Sequence, residues 1–134
     1  MNADPPVDGS SVGAGDGAEV GEVIRFDVVD HGPEVRVLHV VGELDTLTSP
    51  LLASRLAEQQ AVVAHLVVDL SDVTFLGSAG LAALVEAKEM ADRRGRQLLV
   101  VPGSRIAKRA LEATGLLGLF TTADDVPEAL AAAR

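Results

Sequence analysis

The sequence predicts a single α/β domain: a mixed β-sheet, built from a leading antiparallel hairpin plus parallel strands, with about four helices packed on it. Three observations predict this. Two β-type runs flank the turn cluster Asp30-His31-Gly32-Pro33, the arrangement of a hairpin. Two short, mainly apolar runs follow, at residues 66–70 and 98–101, and such runs fill interior parallel strands. Each is followed by a segment of helical spacing, and a strand–helix–strand order calls for right-handed crossovers between parallel strands.

The elements follow in order. The hairpin takes residues 24–29 and 34–41. In its second run Val35, Val37 and Val41 share a face with His39, and Glu34 and Arg36 lie opposite. Leu38 and Val40 then make both faces apolar, as in a strand entering the centre of a sheet. A helix start is signalled at Ser49-Pro50, with Ser49 accepting from first-turn N–H groups and Pro50 at the first helical position. Leu51, Leu52, Leu56 and Ala53 form its apolar stripe, and Arg55, Glu58 and Gln59 face water. The second helix spans residues 78–93. Leu81, Leu84, Val85 and Lys88 line up at helical spacing, and Ala82, Ala83 and Ala87 allow close packing. Arg93 and Arg94 complement its negative end and Gly95 supplies a left-handed stop. After the 98–101 strand, Pro102-Gly103-Ser104 introduces a helix that places Ile106, Ala107, Ala110 and Leu111 on one face and ends at Gly115. An Ala-rich helix at residues 126–133 closes the chain.

Composition bounds the rest. Hydrophobic residues make up 48% of the chain but aromatics only 2%, with three Phe and no Trp or Tyr, so the core must be aliphatic. The absence of Cys removes disulfides, thiolate zinc sites and cysteine nucleophiles. With 11 Lys+Arg against 20 Asp+Glu the formal charge is −9. Such a surface repels phosphate backbones, so no direct nucleic-acid partner is expected. The longest stretch free of charge and His, residues 73–85, has thirteen residues, whereas a spanning helix needs about twenty. Residues 1–20 hold four Gly, two Pro, three Asp, one Glu and no Lys or Arg. They form neither a secretory signal nor a foldable segment and are expected to be a disordered acidic tail. Residues 21–134 are then the domain, and the expected setting is cytoplasmic, with no membrane contact.

In α/β sheets, sites lie where strands end and helices begin. Here Asp69-Leu70-Ser71-Asp72-Val73-Thr74-Phe75-Leu76 leaves a buried strand and Gly77-Ser78-Ala79-Gly80-Leu81 enters a helix. The hydroxyl of Ser78 thus reaches a helix N-terminus, and Gly77 and Gly80 remove bulk on both sides of it. Spacing alone favours a plain helix cap for Ser78, worth roughly 1 kcal/mol. A phosphate there would also meet free N–H groups and the positive end of the helix dipole, so about two extra negative charges would leave the domain folded.

These residues resemble the signature of STAS domains, and specifically of bacterial anti-sigma factor antagonists. Three pieces match in order: Val41-Gly42-Glu43-Leu44-Asp45; Val68-Asp69-Leu70-Ser71 with Val73 and Phe75; and Gly77-Ser78-Ala79-Gly80-Leu81, against the family's Asp-Ser-Ser/Thr-Gly-Leu. The likeness extends over nearly all of residues 21–134, including Ala110-Leu111, Gly115-Leu116-Leu117 and Phe120. It implies a partner-binding module without chemistry of its own. In such a module the unphosphorylated form binds an anti-sigma factor that is itself a serine kinase, which frees a sigma factor. Phosphorylation of the residue aligned with Ser78 ends the complex and a phosphatase restores it. The implied partner-binding residues are Leu44, Asp45, Leu76, Gly77, Ser78, Ala79, Gly80 and Leu81. Two positions depart from the pattern: Gly77 replaces the family's Asp, and Ala79 its Ser or Thr.

Competing readings have less to stand on. Asp45, Asp69 and Asp72 as a metal cluster lack calcium-type spacing. Asp69 and Asp72 are expected to shape a turn, and Asp45 to end its strand by accepting backbone N–H groups. His31, His39 and His65 are scattered, with expected roles in a turn, on a strand face and in a linker. No metal or cofactor is expected. A serine hydrolase would need Gly at position 76 for Gly-x-Ser-x-Gly and a later His, but Leu76 stands there and His65 is the last histidine,. A scaffold or small-ligand STAS domain that never switches remains the alternative.

Overall fold

In the computed structural model, which describes residues 23–133, the chain turns back at residues 31–34 to form the expected hairpin. Strand β1 (Ile24–Asp30) pairs antiparallel with β2 (Val35–Leu44). Helix α1 (Ser49–Gln60) leads to β3 (His65–Leu76), α2 (Ser78–Arg94) to β4 (Gln97–Val101), and α3 (Arg105–Ala113) to β5 (Thr121–Thr122). Helix α4 (Val126–Ala132) follows. The sheet order is β1-β2-β3-β4-β5, and every pairing after the first is parallel. The tail expected at residues 1–20 lies outside the described residues.

Helices cover both faces. On one, Leu38 and Val40 of β2, Leu66, Val68 and Leu70 of β3, and Leu98 and Val100 of β4 pack with Leu52, Leu56, Leu84, Ala87, Ala107 and Leu111 from α1, α2 and α3. On the other, Val37, Val67, Leu99 and Val101 meet Ala129 of α4. Strand residues alternate between the two clusters because successive side chains point to opposite faces. The core is aliphatic, as composition requires, apart from Phe120 and the partly buried Phe26 at its edge.

Several expectations need correction. Strand β3 does not end at residue 70; it runs to Leu76. The shift in register between His39/Val41 on β2 and Asp69/Asp72 on β3 absorbs an extra residue, and pairing then resumes. A bulge of this kind bends a strand without ending it. The segment expected to be a loop is therefore mostly strand, and only Gly77 separates β3 from α2. Ser49 is not the cap of α1. The cap position belongs to Thr48, whose hydroxyl donates to Glu43 O at 2.7 Å and accepts from Asp45 N–H at 2.9 Å. Ser49 is the first helical residue, and its buried hydroxyl lacks a partner. Leu51 and Ile106, expected in apolar stripes, are 40% and 47% exposed, and Ala82 also faces outward. The two-residue strand β5 had no sequence signal long enough to read. Two stops agree with expectation: Gly95 ends α2 at φ 65°, and Ser104 caps α3 by accepting from Ala107 N–H at 3.1 Å.

Helices α1 and α2 are tied by a buried side chain, Gln60, whose Nε2 donates to Ala87 O at 2.8 Å while its Oε1 is unpartnered. Burying that oxygen unpaired offsets much of what the bond contributes. Gln60→Met is therefore expected to stay within about 1 kcal/mol of the parent in urea unfolding. Gln60→Ala, which leaves a void, should lose about 2 kcal/mol or more.

Candidate functional site

Strands β2 and β3 end side by side, with Glu43 opposite Phe75 and Leu44 opposite Leu76. The Gly77 N–H donates to Leu44 O at 2.9 Å and extends that alignment by one residue. Gly77 is extended (φ −90°, ψ −179°) and occupies the cap position of α2 without a side chain to offer. The first turn also carries no acidic residue. The N–H groups that open a helix have no intrahelical acceptor, so this end of α2 keeps its positive polarity uncompensated by any side chain.

Ser78 is the first residue of α2 rather than its cap, and it is exposed. The next turn closes on the sheet. A Cβ at Gly80 would lie 2.7 Å from Leu76 Cδ1 and 3.0 Å from Leu44 Cβ, so only glycine permits this approach. Leu44, Leu76, Gly80 and Leu81, named above as partner-binding, are all buried. The side chains of Leu44, Leu76 and Leu81 belong to the core and hold the site in place. Of the eight positions, Ser78 is exposed and Asp45, Gly77 and Ala79 are half-buried.

Asp45 does end its strand as expected. Its Oδ1 accepts from Leu47 N–H at 3.0 Å and Thr48 N–H at 2.9 Å. The Thr48 backbone bond is the chief cause that holds its carboxyl below the ordinary aspartate value, against an opposing push from burial. Asp69 and Asp72 do not sit with it. Asp69 Oδ1 accepts from Ser71 N–H and hydroxyl, which shapes the bulge. Asp72, expected in that turn, instead reaches His39.

That contact has no counterpart among the expected roles of His39. His39 Nδ1 lies 2.8 Å from Asp69 Oδ2 and Nε2 lies 2.8 Å from Asp72 Oδ2. Two carboxylates, one at each ring nitrogen, are satisfied only by the imidazolium, which donates from both. Burial pulls the His39 pKa down, but the bonds and charges of Asp69 and then Asp72 outweigh it, and the net shift is upward from 6.5. The imidazolium thereby ties β2 to the bulge from which the rest of β3 runs to Ser78. The register shift brings both acids to one side, and no local sequence spacing reports a register shift.

Exposed apolar side chains stand at the same end of the sheet: Phe75 at 49%, Leu47 at 63% and Leu51 at 40%. The Phe75 ring fills the space beside Gly77, where a Cβ would lie 3.0 Å from its Cε2. Leu51 was missed as a surface residue because its spacing reads as helix core, and Leu47 lies in the segment that leads into the helix. Among the described residues no group of His, Asp and Glu could hold a metal ion, and no helix is long and apolar enough to cross a membrane.

A model of the STAS domain family matches residues 28–129. The chain belongs to the STAS domain family. Relatives agree. The anti-sigma-F factor antagonist RsfB of Mycobacterium tuberculosis is 35% identical over 115 residues, covering 83% of this chain and 90% of that protein. The anti-sigma-B factor antagonist of Bacillus subtilis is 29% identical over 93 residues, covering 69% and 84%. Among solved structures, an anti-sigma factor antagonist from Mycobacterium paratuberculosis superposes with a TM-score of 0.73 at 31% identity, covering 84% and 96%. The mixed sheet with its leading hairpin is the STAS fold of that neighbour.

Two outcomes follow. Gly77→Asp should raise stability by about 1 kcal/mol in denaturant unfolding, because it supplies the missing acceptor at the start of α2 and the exposed Phe75 ring can turn aside. Gly80→Ala should lose about 1–3 kcal/mol, because backbone and core must move. The His39 contact sets a pH dependence. A raised histidine pKa contributes stability that is complete below 6.5 and is lost as pH rises through the folded value,. The melting temperature should fall from about pH 6 to pH 9, and His39→Gln should flatten that part of the profile.

Proposed function

We propose that this chain is an anti-sigma factor antagonist controlled at Ser78. Its unphosphorylated form binds an anti-sigma factor that is also a serine kinase, and so frees a sigma factor in the cytoplasm. Transfer of phosphate to Ser78 ends the complex, and a phosphatase renews it. The chain supplies a docking surface and no catalysis. The observation that carries this reading is an exposed hydroxyl at the first position of α2, on a scaffold held by buried Leu44, Leu76, Gly80 and Leu81.

Physical chemistry supports a switch there. A phosphate on Ser78 adds about two negative charges beside N–H groups that no side chain occupies. The charge is accommodated locally, so the fold persists. The proposed docking surface, at the end of the sheet that carries Asp45, Gly77, Ala79 and the exposed Phe75, Leu47 and Leu51, is changed in charge and bulk. A loss of roughly 3–4 kcal/mol, a few hundredfold in affinity, is enough for an on/off response. Gly77 fits the same logic: an aspartate there would compete with the phosphate for the same N–H groups.

The reading is tested by incubating the protein with an anti-sigma factor kinase and ATP and weighing the intact product. One phosphate should appear on the parent and none on Ser78→Ala, and the phosphorylated form should bind the kinase a few hundredfold more weakly. Its melting temperature should stay within a few degrees of the parent. Phosphate that persists in Ser78→Ala, or binding indifferent to it, would favour the scaffold that never switches.

A further inference from the structure

We propose that the edge of β1 pairs antiparallel with β1 of a second copy of this chain, centred on Phe26, and joins two sheets into one. Among the described residues β1 has a strand on one side only, β2. Alternate backbone N–H and C=O groups of such an edge point away from the sheet and accept a further strand. The side chains also ask for cover. Val28 and Val29 are 42% and 48% exposed, and Arg25 and Asp27 stand free in solvent apart from each other, with Arg25 Nε 3.2 Å from Asp27 Oδ2. This edge is two strands away from β3, which leads to Ser78, so the proposal does not rest on the reading of that residue.

Charge and apolar pattern select both the occupant and the register. A two-fold axis perpendicular to the sheet sets residues of the same face opposite each other. With that axis at Phe26, Arg25 meets Asp27 of the second copy and Asp27 meets its Arg25. The four groups then alternate in sign around a rectangle, and each guanidinium gains a second carboxylate. On the other face Ile24 meets Val28 and covers it, and the two Phe26 rings meet across the axis. Phe26 is half-buried, with Arg55 packed 5.7 Å from its ring centre. The adjacent registers are penalised. An axis at Arg25 sets that arginine against itself. An axis at Asp27 opposes two aspartates and puts Asp30 on Ile24, and one at Val28 puts Asp30 on Phe26. Charges on an edge strand ordinarily hold copies apart, but in this one register they attract. The chain's own residues 1–20 are a poor alternative, with four Gly, two Pro and no Lys or Arg, since ladders disfavour Gly and Pro and Asp27 would find no cation.

The test follows the full chain by analytical ultracentrifugation from micromolar to millimolar concentration. A contact of one strand per copy is small, so a reversible dimer with a Kd on the order of tens of micromolar is expected. Arg25→Asp sets like charges against each other at both pairs, and so does Asp27→Arg. Each variant alone should dimerise at least tenfold more weakly than the parent. Mixed together, the two variants place two aspartates opposite two arginines, and the mixture should form a heterodimer with about the parental affinity. The exchanged variant Arg25→Asp/Asp27→Arg should dimerise like the parent. The mixture and the exchanged variant show that loss in the single variants comes from the contact and not from misfolding, which circular dichroism checks directly. A parent that stays monomeric at millimolar concentration, single variants that dimerise as the parent does, or a mixture that stays monomeric would each overturn the proposal.

Discussion

Helix α2 begins on the paired ends of β2 and β3 with no side chain between them, and the site depends on that contact. Gly80 makes it possible, since a Cβ there would overlap Leu76 and press on Leu44. The Gly77 N–H bond to Leu44 O fixes where β3 stops. Once these two are set, helical geometry does the rest. Leu81 and Leu84 turn inward to the core, and Ser78 is left outside. The exposure of the hydroxyl follows from the packing one turn later and needs no interaction of its own.

Much of this was legible in the sequence because it rests on local chemistry. The turn at residues 30–33, the left-handed Gly95 and the Ser104 cap each act over a few residues, and each does what its residue type requires. The position of Ser78 at a helix start was readable for the same reason. What failed was non-local. The continuation of β3 past residue 70 depends on the register with β2, and the His39 contacts with Asp69 and Asp72 exist only because that register shifts. Ser49 and Thr48 are both good caps. The choice between them is made by Glu43 and Asp45, which engage the Thr48 hydroxyl from the preceding strand end. Leu51 and Ile106 lie at positions that spacing alone assigns to the core, but spacing does not report how far round each helix the packing extends, and both are left exposed.

The same distinction separates the residues that build the site from those that face a partner. Leu44, Leu76, Gly80 and Leu81 match the family pattern, yet they are buried, so the motif in large part encodes how strand and helix meet. The exposed surface at this end of the sheet is set by residues with weaker signatures: Phe75 beside Gly77, Leu47 just before α1 and Leu51 in its first turn.

Charge then gives the reason why the modification proposed at this corner would change association and not architecture. The chain is already at −9, and an added anion in the core or at a helix C-terminus would deepen repulsion within the fold. At the first residue of α2 it meets the opposite field, from N–H groups that neither Gly77 nor any acidic side chain has taken up. The energetic consequence is thus small within the molecule and large across an interface, where a partner must desolvate that anion or meet it with a cation of its own. A partner that met Phe75, Leu47 and Leu51 with apolar side chains would have no such cation to offer at Ser78, and the proposed complex would be lost while the domain stays folded.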